Sequence, residues 1–166
     1  MRFHSITILT AAALLGLTGC ANKKNKQYAG IDGDYVNGTP LGERPAGANF
    51  LGANVQRGLY APVQFAFDSS SVAPDQESKV VAVADALKGN GRTVIVAGFT
   101  DERGTEEYNR SLGDKRALAV REALIAKGMQ ANNVQTVSFG KEMPVDSASN
   151  DAAWAKNRRA EFGVVK

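Results

Sequence analysis

The sequence predicts a two-layer α/β sandwich in which helices cover one face of a four-stranded sheet. Three observations point there. Short apolar segments read as strands, longer segments repeat their apolar residues at helical spacing, and the two kinds alternate along residues 61–166.

Val63, Phe65 and Phe67 alternate with Gln64 and Ala66, the period of a half-buried strand. Pro74 suits the first turn of a helix, where its missing N–H is not needed, and Asp75 and Glu77 favour the positive end of the helix dipole. Val80, Val83, Ala84 and Leu87 then form that helix's apolar stripe, and Gly89 and Gly91 stop it. Thr93 to Ala97 is a β-branched strand, and Gly98 to Thr105 a polar loop. A long second helix places Leu112, Ala117, Val120 and Leu124 on one stripe and ends at Gly128. Val134 to Phe139 is a third strand, Asp151 to Arg158 a short helix, and Ala160 to Val165 the last strand.

The segment ahead of this domain reads as an address. Residues 1–19 have the form of a signal peptide, with Arg2 followed by an apolar run from Ile6 to Leu17, too short to span a bilayer, which needs about 20 residues. Leu17-Thr18-Gly19-Cys20 resembles a lipobox, the bacterial signal whose cysteine is acylated and becomes the new N-terminus, so Cys20 is the expected lipid anchor. Ala21 and Asn22 follow it, with no aspartate directly after the cysteine. In bacterial lipoproteins that pattern favours the outer membrane, facing the periplasm. Residues 20–60 are Gly-rich and aperiodic and read as a lipidated, flexible tether with an r.m.s. reach of roughly 35 Å.

Charge and composition exclude several functions. The formal charge of +3 sits in the front end, because residues 61–166 hold 14 basic and 14 acidic side chains. The domain therefore has no net field to draw in a phosphate backbone, and nucleic acid is not an expected partner. His4 and Cys20 are the only histidine and cysteine. A mature chain starting at Cys20 has no Ser-His-Asp or Cys-His machinery, no His or Cys metal site and no internal disulfide. No metal or cofactor is expected. Gly89-Asn90-Gly91 lacks the full dinucleotide fingerprint and follows a helix instead of a strand.

The most informative stretch runs Gly98-Phe99-Thr100-Asp101-Glu102-Arg103-Gly104-Thr105-Glu106-Glu107-Tyr108-Asn109 and continues through Leu112-Gly113-Asp114-Lys115-Arg116-Ala117. With Phe65-Ala66-Phe67-Asp68, Ser138-Phe139-Gly140-Lys141-Glu142 and Asn157-Arg158-Arg159-Ala160-Glu161, it closely resembles the OmpA-like peptidoglycan-binding domain, in its peptidoglycan-associated lipoprotein branch. The resemblance covers roughly residues 62–165. It implies an α+β fold with helices on one face of a four-stranded mixed sheet. It also implies binding, without catalysis, to the diaminopimelate residue of the peptidoglycan stem, which would tether outer membrane to wall. The branch further implies a place in the Tol system, with TolB as partner, and a role in cell division.

In that family an aspartate in the loop and an arginine fifteen positions later hold diaminopimelate, and the matching positions are Asp101 and Arg116. The chemistry agrees. A ligand with ammonium and carboxylate close together needs a compact acceptor and a planar fork. Phe67 fits core packing or a pocket contact, and Asp68 a turn or a pocket contact. Asn109 and Leu112 are candidate pocket walls, although Leu112 also falls on the core stripe. Arg158 is a candidate contact or a structural ion-pair partner. Position 99 is Phe where the family usually has His, which puts the loop geometry in question.

Two other function classes stay open on the sequence. One is a wall hydrolase using two carboxylates, which would need them set across a cleft instead of adjacent as Asp101 and Glu102 are. The other is a periplasmic protein-interaction module.

Overall fold

The structure, a computed structural model, describes residues 35–36, 39–40 and 49–166. The expected signal peptide, Cys20 and the greater part of the expected tether lie outside the described residues. Strands β1 (Tyr35–Val36) and β2 (Thr39–Pro40) pair antiparallel as a ladder of their own. The main sheet contains β3 (Val55–Arg57), β4 (Val63–Gln64), β5 (Val94–Phe99), β6 (Val134–Gly140) and β7 (Arg159–Val165). Its helices are α1 (Glu77–Leu87), α2 (Glu106–Ala126) and α3 (Asp151–Asn157).

The strand order is β3-β7-β5-β6, with β4 pairing β7 as well. β5 and β6 run parallel, joined by α2 as crossover, while β5, β3 and β4 each run antiparallel to β7. This is the mixed sheet of an α+β sandwich. It has one strand more than the sequence suggests, because β3 lies in the segment read as tether, and Phe50 and Val55 there are buried. The main sheet therefore draws in residues ahead of residue 61.

That upstream segment answers a need the sequence leaves hidden. Every residue of β5 is buried, so both faces of the sheet must be covered. On one face Val94 and Val96 meet Val80, Val83 and Leu87 of α1 and Ala117, Val120 and Leu124 of α2. On the other, Ile95, Ala97 and Phe99 pack under Phe50 and Val55. The helices cover one face, and the residues ahead of β4 cover its back.

Local signals set the helix ends. Pro74 opens a 3₁₀ turn, Pro74–Gln76, that leads into α1. Thr105 caps α2 by accepting the Tyr108 N–H at 3.2 Å, with Glu106 and Glu107 in the first turn. At the other end Gly128 (φ +100°) closes a Schellman turn, with the Met129 N–H donating to the Leu124 carbonyl at 3.1 Å and the Gly128 N–H to the Ile125 carbonyl at 2.9 Å. Asn150 caps α3 by accepting the Ala153 N–H at 3.0 Å.

One contact fixes α2 against the sheet. A Cβ on Gly98 would lie 1.9 Å from the Gly113 carbonyl oxygen, and a Cβ on Gly113 would lie 2.2 Å from Ser138 Oγ. The backbones of β5 and α2 touch where these glycines cross. Gly113, and not Leu112, faces the sheet; Leu112 is only partly buried and stands outside the core. The crossing brings the first turns of α2 beside the C-terminal end of β5, with the loop 100–105 between them.

Candidate functional site

A cleft of about 180 Å³ opens where that loop, the first turns of α2 and the segment after β4 meet. Phe67, Asp68, Thr100, Asp101, Arg103, Gly104, Tyr108, Asn109, Leu112 and Arg116 line it. Six of the residues singled out from the sequence are therefore gathered at one place. The seventh, Arg158, is not in the wall. Its Nη1 donates to Asp101 Oδ2 at 3.3 Å and its Nε to the Phe65 carbonyl at 3.0 Å, so it braces the aspartate from behind.

The wall contributed by residues 65–69 departs from a regular strand. Phe65 still donates its N–H to the Arg158 carbonyl at 2.9 Å, but β4 itself ends at Gln64 and Phe67 is 63% exposed. Core packing of Phe67, one reading of its alternating pattern, is not what the chain adopts. The reason is Arg116. Its Nε donates to the Ser69 carbonyl at 2.8 Å and its Nη2 to the Ala66 carbonyl at 3.3 Å, which turns those carbonyls toward α2 and away from a ladder. Asp68 completes the turn at φ +54°, a conformation that Asp tolerates better than most residues. The Tyr108 hydroxyl donates to Asp68 Oδ1.

Arg116 is fully buried. A third donor, Nη1, bonds the Phe99 carbonyl at 2.8 Å, and the guanidinium lies 5.2 Å from the Phe65 ring centroid. Burial, then the neighbouring charge of Arg158, pushes its pKa down to about 10, so it remains a cation at neutral pH. Three of its five N–H groups are committed to backbone carbonyls, which leaves two for a ligand. The arginine shapes the cleft as well as lining it.

Asp101 is 5% exposed. Burial pushes its carboxyl up, but hydrogen bonds from Arg103 and Arg158 outweigh that and hold it below the usual carboxylate range. Arg103 donates from Nη2 to Oδ2 at 2.7 Å, from Nε to Oδ1 at 3.2 Å, and from its backbone N–H to Oδ1 at 3.2 Å. Its guanidinium lies between two rings, 4.2 Å from the Phe67 centroid and 4.1 Å from that of Trp154. The Trp154 Nε1–H in turn donates to Glu102 Oε1 at 3.0 Å.

Asn109, buried, staples the loop by donating from Nδ2 to the carbonyls of Arg103 at 2.8 Å and Thr105 at 3.0 Å. The Thr100 hydroxyl, also buried, has no hydrogen-bond partner among the described residues. Gly104 supplies a positive φ of +92° beside it.

The Phe99 ring stands on the opposite side of the sheet. It stacks on Phe139 at 5.3 Å between centroids and 9° between planes, meets Phe50 edge-on at 6.3 Å, and lies 3.9 Å from the Arg159 guanidinium. Only its carbonyl reaches the site, through Arg116. The residue type at this position therefore acts on the back core and leaves the cleft wall alone.

These groups suit binding better than acid–base chemistry. A general acid near neutral pH needs a raised carboxyl pKa, yet Asp101 is held ionised, and hydrogen bonds from Ser149 and Trp154 lower Glu102 as well. What the cleft offers is a buried carboxylate and a buried guanidinium beside exposed aromatic walls, a pattern for a small ligand carrying both charges. Sequence reasoning passed over Arg103, Tyr108, Thr100 and Gly104, all of which line the cleft, and Trp154, which flanks it. Arg103 and Tyr108 stand inside the very motif that points to the site, but their partners Phe67, Trp154 and Asp68 come from distant segments.

Comparison with known proteins gives the following. The OmpA family pattern matches residues 64–158. The peptidoglycan-associated lipoprotein of Pasteurella multocida is 43% identical over 126 residues, covering 74% of this chain and 84% of that protein. That of Pseudomonas aeruginosa is 43% identical over 98 residues, covering 59% of this chain, and the match spans only 58% of the Pseudomonas protein. The crystal structure of the peptidoglycan-associated lipoprotein from Burkholderia pseudomallei superposes with a TM-score of 0.61 at 44% identity, covering 62% of this chain and 88% of that one.

Proposed function

Since the chain belongs to the OmpA family, within its peptidoglycan-associated lipoprotein branch, we propose that it binds peptidoglycan without catalysis and anchors the outer membrane to the wall from the periplasmic side. The observation that carries this reading is the placement of Asp101 and Arg116 in one cleft, buried and oppositely charged. The ligand is the diaminopimelate residue of the peptide stem. Its free end holds an ammonium and a carboxylate on one carbon, and Asp101 accepts from the first while the uncommitted N–H groups of Arg116 donate to the second. Phe67, Asp68, Asn109 and Leu112 supply the walls, and Arg158 keeps Asp101 in place.

Single charge pairs contribute little in water, so burial at the site and repetition along the polymer must supply the affinity. Acyl chains on Cys20 hold the chain to the membrane, and the residues that follow give it reach. Membership of the branch also supports a place in the Tol system, with TolB as partner, and in cell division.

The test is co-sedimentation of the full chain, purified in mild detergent, with sacculi whose stems carry diaminopimelate. The chain should pellet with sacculi and be released by free meso-diaminopimelate. A chain that stays in the supernatant at every concentration would refute wall binding.

A further inference from the structure

Resting on that reading, we infer that Arg103 is a third charged contact in the cleft, the one that selects a stem ending in ammonium plus carboxylate over a stem ending in ammonium alone. The two arginines of the cleft are unequal. Arg116 is fully buried with three donors committed to carbonyls, whereas Arg103, which lines the same cleft, keeps 35% of its side chain exposed.

A guanidinium has two edges able to take a carboxylate. On Arg103 the Nε and Nη2 edge is occupied by Asp101, at 3.2 and 2.7 Å. Nη1 donates to nothing among the described residues, which leaves the second edge, Nη1 with the other Nη2 proton, available while the first stays on Asp101. The rings of Phe67 and Trp154, at 4.2 and 4.1 Å, pack against the guanidinium and restrict it, and the Glu102 bond to Trp154 fixes one of those rings. This is a preorganised fork, so little conformational freedom remains to be lost when a carboxylate arrives.

The pairing also predicts which ligands fail. A lone ammonium approaching Asp101 meets a carboxylate already balanced by Arg103 and Arg158, and brings nothing to offset the crowding of a third cation. An ammonium with a carboxylate on the same carbon brings its own compensation, placed against the free edge of Arg103. Asp101 and Arg103 thus act as one recognition unit.

The experiment measures binding of two synthetic tripeptides to the full chain in mild detergent by calorimetry: L-Ala-γ-D-Glu-meso-diaminopimelate, and the same peptide with L-Lys in the third position. Wild type should favour the first by tenfold or more. Arg103→Met, which keeps a side chain between the two rings, should lose most of that preference, chiefly through weaker binding of the diaminopimelate peptide, and Arg103→Lys should recover only part of it. Circular dichroism confirms that each variant is folded. Unchanged affinity and preference in Arg103→Met would overturn the inference, leaving Arg103 a structural partner of Asp101. Tighter binding of both peptides would overturn it too, since Arg103 would then be only an internal competitor. If wild type binds neither peptide, the wall-binding reading itself falls and the selection by Arg103 falls with it.

Discussion

Arg116 Nη1 donates to the Phe99 carbonyl at 2.8 Å, which ties the middle of α2 to the last residue of β5 and closes the cleft from below. The same guanidinium holds the carbonyls of Ala66 and Ser69, so one side chain gathers three segments of the chain.

Arg116→Met should therefore lose both stability and sacculus binding. The buried Phe99 carbonyl loses this donor, as does the half-buried Ser69 carbonyl, while Ala66 keeps the Ser69 N–H, so unfolding in urea should show a loss of about 1–3 kcal/mol. Arg116→Lys keeps the charge but not the fork; sacculus binding should weaken several-fold while less stability is lost.

Phe99→His tests the residue that sets this chain apart from the usual family pattern. Because the ring packs against Phe50 and Phe139 on the back of the sheet, wall binding should stay within about twofold of wild type. Phe99→Ala opens a cavity there and should cost about 3–5 kcal/mol in chemical denaturation, with sacculus co-sedimentation preserved wherever the chain stays folded.

Asp101 gives a pH signature. Its folded pKa is depressed, so its contribution to stability is fully present above the unfolded aspartate value of about 3.9 and is lost as pH falls through the lower folded value. Wild type should be more stable than Asp101→Asn at pH 7, and the gap in unfolding midpoint should narrow below about pH 3.9. A gap that stays constant down to pH 2 would show that the ion pairs with Arg103 and Arg158 contribute nothing.

Gly98→Ala should be among the most damaging single-methyl additions. The new Cβ would lie 1.9 Å from the Gly113 carbonyl oxygen, which belongs to backbone and cannot rotate away. Separating α2 from β5 should cost about 3 kcal/mol or more and lower the thermal midpoint seen by circular dichroism.

Cys20→Ala tests the proposed anchor. The variant should leave the membrane fraction for the soluble periplasmic fraction and still pellet with sacculi. Retention in the membrane would remove acylation of Cys20 as the means of attachment.

Much of this was legible in the sequence, for identifiable reasons. The stripe Val80, Val83, Ala84, Leu87 and the β-branched run into Ala97 are periodic, and periodicity reads directly as burial; both groups lie in the core. The pairing of Asp101 with Arg116 was legible only through the family resemblance, and the structure sets both, with Asn109, around one cleft. β3 was not legible, since Val55-Gln56-Arg57 is a weak strand by itself and exists through its register on Val165, Val164 and Gly163. The exposed position of Phe67 was hidden for a similar reason: its alternation with Phe65 is overruled by an arginine 49 positions away that draws the neighbouring carbonyls out of the ladder. Nothing in the sequence marks Arg103 out, because the two rings that hold it come from residues 67 and 154.

The segment from Phe50 to Arg57 links the upstream chain to the back of the sheet. On the proposed reading, in which the chain is held at the membrane and at the wall, a pull from the upstream side bears on Phe50, seated against Phe99 and Phe139, and on the three register positions of β3 on β7. The packing between α1, α2 and the sheet, which shapes the cleft, lies behind this flap. This segment is therefore joined to the sheet by one aromatic seat and three strand positions, far less than the core that holds α1 and α2, and on the proposed reading it is the part of the domain that yields first under load.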